Sequence, residues 1–241
     1  MKRARSERTG QPAPKRGAQA DELRRWLHEQ LSGGADDRAM LAISCEQVFA
    51  SVQLLGFSSN VSVLDTSAQQ TAMLARRFFE ATFQLHRLGE PLPFQRGAFD
   101  VVWCNEILDR VFDPAAALRE IRRVLAPGAR LLVTVPDHGA VAGVLGRLLP
   151  CRGMAAANAR VRLFTPRSLA RTVADAGFAG VQVTRGRVER SADEDAPSRC
   201  LLLSAEKDAR VEAGDGARRG GRRLRAVLGE ELAFASRSAA R

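Results

Sequence analysis

Tyrosine is absent from the 241 residues, while alanine is abundant and nearly all the positive charge is arginine. So uniform a bias reflects the composition of the source as much as selection for an anionic partner, and arginine content alone therefore argues little. Cysteine is scarce and scattered: Cys45, Cys104, Cys151 and Cys200 stand far apart, with no CxxC pair and no histidine cluster beside them. That spacing speaks against a zinc site or a disulfide framework and for buried free thiols in a reducing compartment. Long apolar runs are lacking too. AVAGVLGRLLP at 140–150 is interrupted by Arg147 and is too short to span a bilayer. The polar, charged N-terminus has no apolar segment behind it, unlike a secretory signal. The expectation is a cytoplasmic protein without a membrane span.

Forty-five per cent hydrophobic content over this length is enough for one full core, so one domain with appendages is expected. The net charge of +10 sits mostly at the ends: residues 1–19 hold six basic groups and one acidic group, and 207–241 hold nine and five. The division expected is a disordered basic tail at 1–20, a folded body at 21–207 and a basic C-terminal tail at 208–241, with a short helix at 224–235. Solvated ends are the simplest role for the tails; nucleic acid or a membrane surface is the alternative.

Along the body, DELRRWLHEQL places Leu23, Trp26, Leu27 and Leu31 on one helical face, with Asp21 as its cap and Ser32-Gly33-Gly34 as its end. Strand-like and helix-like segments then alternate: RAMLAIS, VFASVQLLGF, NVSVLDTS, AQQTAMLARRF and the weaker strand EATFQLHRL. After the turn signals of GEPLPFQRG come the strand FDVVWCN and a helix capped by Asp113, with Pro114 in its first turn and Pro127-Gly128 as its stop. ARLLVTVPDHG follows as a strand. Thr165-Pro166 opens a further helix ending at Gly177, and two last strands flank the polar loop SADEDAPS. This alternation predicts an α/β fold with a mostly parallel sheet, helices on both faces and a closing antiparallel pair. Ligands of such sheets bind at the carboxyl ends of the strands, which directs attention to Ser44–Gln47, Asp65–Ser67, Arg87–Glu90, Asn105–Arg110 and Pro136–Gly139.

The run PLPFQRGAFDVVWCNEILDRVFDPAAALREIRRVLAPGARLLVTVP, followed by RLFTPRSLARTVADAGFAGVQV, resembles the class I S-adenosylmethionine-dependent methyltransferases of the ubiquinone- and menaquinone-methyltransferase-like group. The resemblance covers roughly residues 36–206. It implies a Rossmann-like three-layer sandwich with a seven-stranded sheet and a reversed C-terminal hairpin. It also implies S-adenosylmethionine across the first four strand ends and methyl transfer to a small-molecule acceptor.

Carried onto this sequence, the resemblance assigns cofactor contacts to Ser44, Cys45, Asp65, Thr66, the Leu88 backbone and Asn105. Asp65 takes the place of the acidic residue that accepts from the ribose hydroxyls, although an aspartate there can also cap the following helix. Asn105 and Glu106 follow the fourth strand, near where sulfonium and acceptor would meet. Arg87 stands where relatives place an acid on the adenine amino group, and a guanidinium only donates. Arg110 stands where relatives often carry histidine. The histidines left are His138, as a candidate base or a plain loop residue, His86 as a strand-end residue, and His28 on the first helix.

The glycine loop departs furthest. In LAISCEQVFA, Ala42 replaces the aspartate and Ser44, Glu46 and Val48 replace the glycines of the D-x-G-C-G-x-G pattern centred on Cys45. Two readings follow: a methyltransferase with a rebuilt loop, or a methyltransferase-like pseudoenzyme serving as a binding or regulatory subunit with a protein partner. Leu145, Leu148, Leu149 and Met154 fit an apolar lid, ordinary core or a homodimer contact alike.

Overall fold

A computed structural model of the chain describes residues 20–45, 52–87, 89–137, 162–188 and 198–208. Its helices are α1 (Ala20–Leu31), α2 (Ala68–Arg77), α3 (Pro114–Val124) and α4 (Pro166–Asp175). Its strands are β1 (Met40–Ser44), β2 (Val61–Asp65), β3 (Thr82–Leu85), β4 (Phe99–Asn105), β5 (Leu125–Pro136), β6 (Phe178–Val188) and β7 (Ser198–Lys207). All seven strands form one sheet in the order β3-β2-β1-β4-β5-β7-β6. The first five run parallel, and β7 lies antiparallel between β5 and β6. This is the expected Rossmann-like sandwich with its reversed hairpin, and strand order reverses between β1 and β4.

Burial on both faces explains why the central strands read as continuous apolar runs. Every residue of β1 and β2 is buried. One face of the sheet packs Leu41, Ile43, Val102, Leu131 and Val133 against Leu118 and Ile121 of α3 and Leu169 and Val173 of α4. The other packs Met40, Ala42, Val63, Trp103 and Leu132 against Leu23, Trp26, Leu27 and Leu31 of α1 and Leu74 of α2. A helix of this length is marginal alone. Docking four large side chains of α1, at about 1.5–3 kcal/mol each, is what holds it in place.

Local signals place the helix ends. Asp113 accepts from the Ala116 N–H and Pro114 opens α3. Thr165 and Ser168 form a reciprocal capping box at α4, and Gly177 ends that helix at φ 85°. Three expectations shift. Helix α1 begins at Ala20, so Asp21 falls inside its first turn. Within VFASVQLLGF, the described part is a 3-10 turn at Val52–Gly56. Ser58 then fixes the entry to β2, donating to the Arg38 carbonyl at 2.6 Å and accepting from the Asn60 N–H at 3.0 Å. Helix α3 stops at Val124 instead of Pro127-Gly128, because Leu125 already pairs with Phe99. The Pro-Gly pair falls in a register shift of β5, where Gly128 takes φ 72°. The basic tails apart from Ala20 and Asp208, the SADEDAPS loop before Ser198 and residues 140–161 lie outside the described residues, and β7 carries the chain to Lys207.

Candidate functional site

The parallel register aligns the polar ends of four strands. Asp65 of β2 pairs with Ser44 of β1, Ser44 with Asn105 of β4, and Asn105 with Thr134 of β5. All four are almost fully buried, an unusual density of polar side chains for strands otherwise made of aliphatics. Hydrogen bonds account for much of the row. The Ser44 hydroxyl donates to Asp65 Oδ2 at 2.7 Å, and the Ser67 N–H donates to Asp65 Oδ1 at 2.7 Å. The Trp103 indole N–H donates to the Thr134 hydroxyl at 2.9 Å. Beside the row, the Thr66 hydroxyl donates to Cys45 Sγ at 3.2 Å. The structure thus brings Ser44, Cys45, Asp65, Thr66 and Asn105 together at the β1/β4 crevice.

Capping of α2 falls to Ser67, whose hydroxyl accepts from the Gln70 N–H at 3.3 Å. Asp65 instead braces the turn ahead of that cap.

Past β4 the backbone turns sharply at Glu106, which has φ 53° and is almost fully buried. Glutamate rarely occupies this left-handed region. Donation from its N–H to the Thr134 carbonyl at 2.8 Å pins the turn against β5. Burial pushes the Cys104 thiol up to about 12, which favours its neutral form.

A cavity of about 260 Å³ opens at the same strand ends, on the α3 face. Ile43, Leu92, Ile107, Val111 and Ile121 give it apolar walls, and His86, Glu90 and Glu120 bring polar groups to its edge. The segment over it is latched to α3. Arg123 donates to the Leu92 carbonyl at 2.9 Å and the Phe94 carbonyl at 2.7 Å, and pairs with Glu120 at 2.9 Å. Glu120 in turn accepts from the Leu92 N–H at 3.1 Å. Hydrogen bonding from Arg123 holds the Glu120 carboxyl below its ordinary range, the Leu92 N–H adds to this, and burial opposes it. Burial pushes the His86 imidazole down, while the Glu90 carboxylate and main-chain carbonyl draw it back up.

Glu90 and the Glu120–Arg123 latch escape a reading by motif. The signals were present in RLGEPLPF, with an acid three residues past Arg87, and in REIRRV, with an i, i+3 ion pair. Arg110 is half-buried beyond β4, where its N–H donates to the Ile107 carbonyl. His28 is exposed, its ring edge-on to Phe57 at 6.1 Å. Glu46, Val48, Leu88, His138 and Cys151 lie outside the described residues. Among the described residues, no group of three or more His, Cys, Asp or Glu is placed to hold a metal ion. No described helix is long and apolar enough to cross a membrane.

Residues 19–183, well over half of the chain, match the family described as "Methyltransferase domain". The chain belongs to this family. Among curated relatives of the chain, a ubiquinone biosynthesis O-methyltransferase of Cronobacter sakazakii is 24% identical over 115 residues, covering 46% of the chain and 47% of that enzyme. An uncharacterized 37.1 kDa protein of transposon TN4556 from Streptomyces fradiae is 37% identical over 82 residues, covering 33% of the chain and 24% of that protein. The chain thus spans about a quarter to a half of the length of these relatives. Among solved structures, YcgJ of Bacillus subtilis superposes with a TM-score of 0.57 at 15% identity, over 77% of the chain and 98% of YcgJ. A Burkholderia thailandensis 1,6-didemethyltoxoflavin-N1-methyltransferase with bound S-adenosylhomocysteine superposes with a TM-score of 0.58 at 21% identity, over 77% and 76%. These likenesses establish the class I methyltransferase fold.

Proposed function

We infer that the chain is an S-adenosylmethionine-dependent methyltransferase acting on a small-molecule acceptor. The observation that carries this reading is the polar row Asp65–Ser44–Asn105 at the switch point of the sheet, adjoining a cavity with room for a flat ring. The acceptor class is supported by relatives that act on small molecules, the ubiquinone O-methyltransferase and the toxoflavin-precursor N-methyltransferase. When bound, the cofactor supplies an electrophilic methyl group on a sulfonium. The chain's own task is alignment and exclusion of water. In this reading the Asp65 carboxylate takes the ribose hydroxyls, and Ser44, Cys45, Thr66 and Asn105 line the path between ribose and methyl. An arginine at position 110 cannot take up the acceptor's proton. An oxygen or nitrogen acceptor that loses its proton directly to water fits this site better than one needing a strong base.

A second reading, a binding or regulatory subunit that keeps the fold, draws on one observation: both Asp65 oxygens already accept from protein donors. A Haloferax volcanii neighbour, solved in complex with the Trm112 methyltransferase activator, offers a precedent for a protein partner. Calorimetric titration with S-adenosylmethionine and S-adenosylhomocysteine separates the two. Micromolar binding that is lost in Asp65→Asn, with the fold intact by circular dichroism, supports the enzyme. No heat at millimolar ligand supports the second reading.

A further inference from the structure

Directly opposite residues of an antiparallel pair share a face of the sheet, and like charges set against each other there are destabilising. The closing hairpin breaks that rule. Arg187 of β6 stands opposite Arg199 of β7, and Arg185, two residues earlier on β6, points to the same face. All three are exposed. Asp137, at the end of β5, holds Arg185 at 3.0 Å through a carboxylate that is 6% exposed. Glu22 of α1 accepts from the Arg187 main-chain N–H at 3.1 Å. Among the described residues, neither the Arg187 nor the Arg199 guanidinium forms an ion pair.

The register sets this pair beside the proposed site. Cys200, next to Arg199, lies opposite Pro136 of β5, two residues beyond the Thr134 end of the polar row. Arg185 lies opposite Leu201, which shares a core with the cavity walls Ile43, Ile107 and Val111, so the arginines stand on the cavity's side of the sheet. The row runs from Asp65, which takes the ribose in the reading above, toward β5 and then this hairpin. The cofactor thus occupies one flank and leaves the arginine flank to the acceptor. A guanidinium offers five N–H donors in a fixed fork that matches carboxylate and phosphate oxygens. An oxyanion between the two forks replaces their repulsion with charge-assisted hydrogen bonds.

We propose that Arg187 and Arg199 form an oxyanion subsite, and that the acceptor carries a carboxylate or phosphate group held there. The subsite stands on the hairpin's geometry; its assignment to an acceptor rests on the methyl-transfer reading above. The competing role for the pair is neutralisation by the hairpin's own loop, whose sequence holds Glu189, Asp193, Glu194 and Asp195. The two roles make opposite demands on stability. An arginine kept for a ligand is repelled by its neighbour in the free protein, whereas one kept for the loop stabilises it.

The test is calorimetric titration of the full chain at low salt with inorganic phosphate and with benzoate as a plain carboxylate, alongside thermal unfolding. The wild type should bind at least one of them, the tighter naming the acceptor's group, and added sodium chloride should weaken that binding. Arg187→Gln and Arg199→Gln should each lose about tenfold in anion affinity. Without anion both should melt at or above the wild-type temperature, because the like-charge contact is gone. Arg199→Lys, which keeps the charge without the fork, should retain part of the affinity. Protein saturated with S-adenosylhomocysteine should bind the anion as tightly as free protein. Failure of the wild type to bind either anion, or unchanged affinity in both glutamine variants, overturns the proposal. Glutamine variants that melt early and bind the anion normally assign the pair to the loop and overturn it too. Competition between anion and S-adenosylhomocysteine assigns the arginines to the cofactor's carboxylate, against the proposal. Anion binding in a wild type that takes up no S-adenosylhomocysteine removes the methyl-transfer reading and the acceptor assignment, and leaves the subsite.

Discussion

At the scale of single residues, the site is built by converting strand ends from apolar to polar without exposing them. Thr134 shows the cost of that arrangement. Its hydroxyl accepts from the Trp103 indole, its carbonyl accepts from the Glu106 N–H, and it is fully buried. Thr134→Val keeps the shape and the main-chain bond but strands the indole N–H in the core, a loss of about 1–3 kcal/mol. Urea unfolding should show that loss, and Thr134→Val should cost less when made in a Trp103→Phe background, since no indole N–H is then stranded. Destabilisation by Thr134→Val that is undiminished in the double variant would mean that the hydroxyl matters through some other contact. Part of this row was legible beforehand: Asp65 and Asn105 end apolar runs, and polar residues there invite a ligand. The Ser44–Asp65 bond was not, because it depends on a register between strands 21 residues apart. Nor did sequence alone separate the bracing role of Asp65 from helix capping, which the structure assigns to Ser67.

At the scale of elements, the described residues between β3 and β4 form no helix or strand, yet they cover the cavity. Arg123 of α3 ties them down by two main-chain carbonyls and an ion pair with Glu120, which is about a third exposed. Arg123→Met should cost about 1–3 kcal/mol at neutral pH by releasing both carbonyls and leaving Glu120 without its cation. The pH dependence has a definite sign. Glu120 has its folded-state pKa lowered from 4.5 chiefly by Arg123, so its contribution is present above 4.5 and is lost as pH falls through the lowered value. The stability gap between wild type and Arg123→Met should therefore narrow below pH 4.5, as read by denaturant unfolding across pH 3 to 7. A gap that stays constant over that range would show that the ion pair is idle and the carbonyl bonds do all the holding. Helix α3 itself was readable from Asp113-Pro114 and its apolar spacing. Its end was misplaced because the competing interaction, Leu125 against Phe99, is remote in sequence.

For the molecule as a whole, the two faces of the sheet divide labour, and this division was legible only in part. Alternating strands and helices announced a doubly covered parallel sheet, but not which helix covers which face. Helix α1 lies with Trp103 and Leu132 on one face, while the cavity walls Ile43, Ile107, Val111 and Ile121 belong to the core of the other. Stability and ligand affinity should therefore separate. Leu27 is fully buried in the α1 face, so Leu27→Ala should cost about 2–5 kcal/mol. At roughly 2–4 °C per kcal/mol for a chain of this size, the melting midpoint should fall by about 4–20 °C. Because no residue of α1 lines the cavity, and its packing on Trp103 falls at the Thr134 end of the polar row, away from Asp65, the folded variant should bind S-adenosylhomocysteine with the wild-type dissociation constant below its melting range. Ligand should then raise both midpoints by a similar free energy, about 2.7 kcal/mol at a hundred times the dissociation constant. A Leu27→Ala protein that melts early and also binds weakly would show that the sheet transmits strain from one face to the other, and that α1 helps to set the site as well as to close the core.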